Sequence, residues 1–93
     1  MPQPIIQSNE VVRYIRKHNK PVGVLMAVFQ DDKSIRYGYS LCGHGDAWSK
    51  KTGVAIARSR ANSKHYEKAL AQAPQTVRKH LESFAASLEE RHV

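Results

Sequence analysis

The chain has 93 residues, 41 % hydrophobic and 25 % charged, with 15 Lys and Arg against 8 Asp and Glu for a formal net charge of +7. That length makes a single domain over residues 1–93 with a small core, and the composition excludes a disordered chain. No apolar run reaches the ~18 residues of a membrane span, the start lacks the pattern of a signal peptide, and the one cysteine, Cys42, excludes an internal disulfide, so a cytoplasmic, reducing location is expected.

Residues 1–7 carry two prolines and read as a flexible N-terminal arm. Ser8 or Asn9 then offers a helix cap, with Glu10 at the positive end. Val11, Val12 and Ile15 form a narrow apolar stripe, which predicts a first helix stopped by Asn19 and Pro21. The apolar run from Val22 to Phe29 is short, rich in β-branched residues and bounded by turn residues, the pattern of a buried strand. After the turn QDDKS, Ile35, Tyr37, Tyr39 and Leu41 alternate with Arg36, Gly38, Ser40 and Cys42. This predicts a half-buried strand, antiparallel to the one before it. Gly38 in mid-strand signals a bulge or a close backbone approach.

GHGDAW reads as a loop, and Ser49 as the cap of a second helix from Lys50 to about Ala73, continuous or broken near Asn62. Wound at about 100° per residue, it places Ala55, Ile56, Tyr66, Leu70 and Ala73 on one side. Lys50, Lys51, Arg58, Arg60, Lys64, His65 and Lys68 take the other half. Pro74 ends this helix. In a third, Val77, Leu81, Phe84 and Leu88 recur at i, i+4, i+7 and i+11, a clear amphipathic stripe. The expected fold is α+β, a small domain of order α-β-β-α-α with an antiparallel β-hairpin packed against helices. Such a hairpin has two open edges, which points to a homodimer.

The chemistry-bearing candidates cluster around the start of the second helix. A strand leads through Gly43, His44 and Gly45 into a helix N-terminus with Lys50 and Lys51 close by. That arrangement suits an anion: glycines let backbone N–H groups approach, and the dipole and lysines add positive charge. An ordinary turn before a capped helix explains the same residues. A nucleotide-hydrolysing P-loop is excluded, because Lys50 rather than glycine precedes Lys51 and Thr52.

From Ser49 to Lys68 there are six Lys or Arg and one acid, Glu67. A basic helix face with Lys50, Lys51, Arg58, Arg60 and Lys64 would track nucleic-acid phosphates; a solvated face is the alternative. Trp48 reads as a hydrophobic staple against Thr52 or Ile56, with base stacking beside Tyr37 or Tyr39 as the other use. Cys42, His44 and Asp46 alternate, but no second ligand cluster accompanies them, so no metal and no cofactor is assigned. No carboxylate pair or nucleophile–base arrangement stands out, and Asp31 and Asp32 suit a turn. The chain is therefore read as non-enzymatic.

Ser40, Leu41, Cys42, Asp46, Trp48, Lys50, Lys51, Gly53, Ile56, Ala57, Arg60 and Ala61 form a strand-SLC, loop, D-x-aromatic, KK-x-G-x-x-IA-x-x-RA pattern. This stretch resembles small uncharacterised accessory proteins of tailed bacteriophages. The resemblance implies a phage protein acting in the host cytoplasm by binding nucleic acid, a host protein or a host nucleotide, and it supplies no catalytic residue. Two readings follow. One is a basic module binding a phosphate-bearing ligand, nucleic acid first. The other is a phage-borne inhibitor of a host defence protein, acting by protein contact or by sequestering a signalling nucleotide. Gly53, Ala57 and Ala61, at i, i+4 and i+8, also make a flat strip on which a backbone of the same chain or of a second copy can pack.

Overall fold

The computed structural model describes residues 7–42, 47–62 and 66–92. The apolar run becomes the central strand β2 (Lys20–Phe29), flanked by β1 (Glu10–Lys17) and β3 (Ile35–Leu41), with both neighbours antiparallel to it. Three helices follow: α1 (Lys50–Ala61), α2 (Tyr66–Gln72) and α3 (Gln75–His92). The run is apolar at every position because both faces of β2 are covered. Val24, Met26 and Val28 pack with Val54, Ala57 and Ala61 of α1. Leu25 and Ala27 pack on the opposite face with Ala69 of α2 and Val77, Leu81, Phe84 and Leu88 of α3. The result is three layers, α1 over the sheet over α2 and α3.

The first helix expected from Val11, Val12 and Ile15 is instead strand β1, so the order is β-β-β-α-α-α. The pattern fits both elements locally, and tertiary packing decides. In a strand Val12 and Tyr14 reach the α1 layer while Val11 and Ile15 reach the α3 layer, so all four apolar side chains are used. A helix would gather Val11, Tyr14 and Ile15, at i, i+3 and i+4, on one side and could pack them against one layer only. Ser8 and Asn9 form a turn rather than a cap: Glu10 N–H donates to the Gln7 carbonyl at 3.0 Å, and Phe29 N–H to the Asn9 carbonyl at 2.8 Å. β1 also fills one of the two open edges from which a second copy was inferred, making a three-stranded sheet within one chain.

Lys17 pairs with Lys20 across a two-residue turn whose central His18 and Asn19 have φ of 52° and 65°. Two successive left-handed residues are the signature of a type I′ hairpin, whose twist matches that of the strands.

Gly38 marks a close approach. A Cβ there would lie 2.5 Å from the Ala61 nitrogen and 2.9 Å from its Cα. The strip Gly53, Ala57 and Ala61 therefore packs on the hairpin of the same chain, and the buried Ser40 hydroxyl donates to the Gly53 carbonyl at 2.7 Å. Contact along this strip turns α1 so that Gly53, Val54, Ala57 and Ala61 are buried. Ala55 and Ile56, expected on the inner side, face outward, with Ile56 40 % exposed. The long second helix is two helices: α1 ends at Ala61, where the Asn62 N–H returns to the Arg58 carbonyl. In α3 the expected stripe of Val77, Leu81, Phe84 and Leu88 is fully buried.

Candidate functional site

Gly43, His44, Gly45, Asp46 and Lys64 lie outside the described residues. The flanks of the loop are described. Cys42 N–H donates to the Val22 carbonyl at 2.8 Å, holding the end of β3 to β2. Ser49 caps α1 as expected: it is extended, its hydroxyl oxygen accepts the Thr52 N–H at 3.3 Å, and its carbonyl accepts the Gly53 N–H at 2.9 Å. Beside this cap is a cavity of about 310 Å³ walled by Ser40, Cys42, Trp48, Ser49, Thr52 and Ile56, among others, with no Lys or Arg among its lining residues. The ammonium of Lys50 sits instead 5.2 Å from the centre of the Tyr14 ring on β1, and Lys51 is exposed.

The expected basic face of α1 is divided. Arg58 grips Glu10 of β1 with two bonds: Nε donates to Oε2 at 2.6 Å and Nη2 to Oε1 at 2.9 Å. The Glu10 side chain is 2 % exposed and that of Arg58 29 %. The guanidinium bonds hold the Glu10 carboxyl below its ordinary value of 4.5, and the Gln7 N–H adds to this against the effect of burial. The same bond pushes the Arg58 pKa up. Arg60 lies about 200° around the helix from Arg58. It reaches over the other sheet edge to donate to the Tyr39 carbonyl at 3.0 Å, beside the Tyr39 ring. Lys50 and Arg58 thus pack toward β1, Arg60 packs toward β3, and no single surface gathers them. Trp48 is half-buried, edge-on to Tyr14 at 6.4 Å, and its ring lies over Gly53. It closes the α1 layer across to β1, and it also walls the cavity beside the Ser49 cap.

Arg13 and Arg36 are also tied into the fold, Arg13 to the Ser87 hydroxyl and the Phe84 ring, Arg36 to the Asn62 carbonyl. The contrast is at the β1–β2 turn. Arg16, Lys17, His18 and Lys20 are all exposed, and none of them is ion-paired among the described residues. Across from this turn lies exposed His80 of α3, and Arg78 and Lys79 are exposed on the same first turns of that helix. A second cavity of about 340 Å³ lies between the two elements. The signal was present in the string RKHNK, which holds no acid and contains a turn pair, but a helical reading scatters Arg16 and Lys17 around a cylinder.

Among the described residues no three His, Cys, Asp or Glu side chains gather as metal ligands, and no helix is long and apolar enough to cross a membrane. Comparison of the chain with protein-family models, with curated proteins and with solved structures finds no match.

Proposed function

We propose that the protein is a non-enzymatic binding module for a phosphate-bearing ligand, nucleic acid first. The observation that carries this reading is the division of the cations into two sets. Arg13, Arg36, Arg58 and Arg60 bond carbonyls, hydroxyls or a buried carboxylate and serve the fold. Arg16, Lys17, Lys20, Lys33, Lys51, Lys68, Arg78 and Lys79 stand exposed without a carboxylate partner among the described residues. Unneutralised cations on a chain of net charge +7 create a field that draws polyanions and gains free energy by releasing their counterions. Three of them, Arg16, Lys17 and Lys20, sit together at the β1–β2 turn, which adds that turn to the α1 face as a place for the ligand.

Fluorescence anisotropy of single-stranded and duplex oligonucleotides across a salt series tests the reading. The expected result is binding whose log K falls linearly with log salt. No binding of either probe at low salt would remove nucleic acid as the ligand. The same exposed cations would then be assigned to a protein partner with an acidic surface, as the phage-inhibitor alternative holds.

A further inference from the structure

Along β1, regular alternation sends Val12 and Tyr14 to the α1 layer and Val11 and Ile15 to the α3 layer. Continued, it would send Arg16 to one face and Lys17 to the other. The pairing does not continue: Ile15 pairs with Gly23 and Arg16 with Pro21, leaving Val22 as an extra residue on β2. An inserted residue increases local twist and re-aims the side chains beyond it. The packing records the change. Val22 has the parity of Val24 and Met26, which face α1, yet it packs in the cluster facing α3. Arg16 and Lys17, although consecutive, both line the same cavity, opposite His80 and Thr76 of α3.

This cavity of about 340 Å³ has an apolar floor in which exposed Leu41 and half-buried Val22 offer contact surface over the buried Ile15 and Val77. Its rim of Arg16, Lys17 and His80 is exposed. No carboxylate is among its described lining residues. Two adjacent like charges at its edge repel each other, and no described lining residue neutralises them. An anion seated between them removes that repulsion.

We infer that the bulged β1–β2 turn and the start of α3 form a cleft for one phosphorylated nucleoside unit, with the phosphate on Arg16 and Lys17 and the sugar or base against the apolar floor. The inference rests on the nucleic-acid reading above and adds the place and the form of the ligand. An apolar floor beneath a cationic rim can accept a base only if that base is unstacked, so the cleft takes single strands or free nucleotides in preference to duplex. The volume falls within the small-ligand range of about 300–1,000 Å³.

The test compares the wild-type protein with Arg16→Ala/Lys17→Ala and with Lys33→Ala/Lys68→Ala, which removes two exposed cations from the β2–β3 turn and α2. Circular dichroism checks that both variants are folded. The probes are a labelled oligothymidylate and a duplex of equal length, with adenosine monophosphate and inorganic phosphate as competitors. The Arg16/Lys17 variant loses the one phosphate contact of the cleft, so it is expected to lose about 0.7 from its salt slope on single strands and to bind roughly 5-fold more weakly at about 0.1 M salt. The control is expected to keep the wild-type slope and to fall less than about 2-fold. The nucleotide should displace the oligonucleotide at lower concentration than phosphate does.

Binding of the nucleotide, but not of the oligonucleotide, would support the cleft and assign it to a free nucleotide. Equal losses in the two double variants, or preference for duplex, would overturn the cleft while leaving nucleic-acid binding in place. Failure of the wild-type protein to bind any probe at low salt would overturn both.

Discussion

Replacing Arg58 by Met keeps most of the side-chain stem in place and removes the guanidinium that holds Glu10. The Glu10 carboxylate, 2 % exposed, would then keep, among the described residues, its bond from the Gln7 N–H at 2.9 Å. Breaking a buried pair from one side costs about 3–5 kcal/mol when the remaining charge has no outlet. Here the Arg58 side chain is 29 % exposed, and water can enter where it stood. The solvent-discounted expectation is about 2–3 kcal/mol, from a total near 5–14 kcal/mol for a chain of this size. Glu10→Gln is expected to cost less, about 1 kcal/mol, because the arginine left behind can turn to water. The double variant Glu10→Gln/Arg58→Met should be more stable than Arg58→Met alone, since it leaves no buried charge.

Urea denaturation of the four proteins at neutral pH measures this order. A double variant no more stable than Arg58→Met, or a Glu10→Gln variant that loses as much, would refute the argument. Acid titration adds a sign. The folded Glu10 pKa lies below 4.5, so the stabilisation from its ionised form is complete above that value and is lost as pH falls through the folded value. The stability gap between wild type and Arg58→Met should therefore narrow on acidification below the ordinary carboxylate pKa. A gap that widens would show that Glu10 is not the group responsible.

Two further substitutions probe the two cores. Gly38→Ala places a Cβ against the Ala61 backbone, within 2.5 Å of its nitrogen, so α1 must lift from the sheet. The expected loss is about 2–3 kcal/mol in urea, with a change in Trp48 emission, and a variant as stable as wild type would disprove the close approach. Phe84→Ala opens the opposite core, where the ring meets Tyr37 edge-on at 6.3 Å and lies beneath the Arg13 guanidinium. A loss of about 3–5 kcal/mol is expected from thermal melting, and one below about 1 kcal/mol would mean that α3 is not seated there.

Much of this architecture is written in short-range patterns. The unbroken apolar run of β2 requires two covered faces, the alternation of Ile35 to Leu41 requires a strand, and the spacing of Val77, Leu81, Phe84 and Leu88 requires a helix with one buried side. Ser49 as a cap and the strip Gly53, Ala57 and Ala61 are legible for the same reason: each is a property of neighbours along the chain. The identity of β1 is different, because Val11, Val12 and Ile15 satisfy either periodicity and only the open edge of β2 with a layer on each side selects the strand. The role of Arg58 depends on a carboxylate 48 residues away, brought close only when α1 crosses the sheet. The shared aim of Arg16 and Lys17 depends on one unpaired residue in the neighbouring strand. Local periodicity determines which side chains can share a face. Which charges are buried and which remain free for a ligand is decided by pairing between distant segments, and that appears only once the chain is folded.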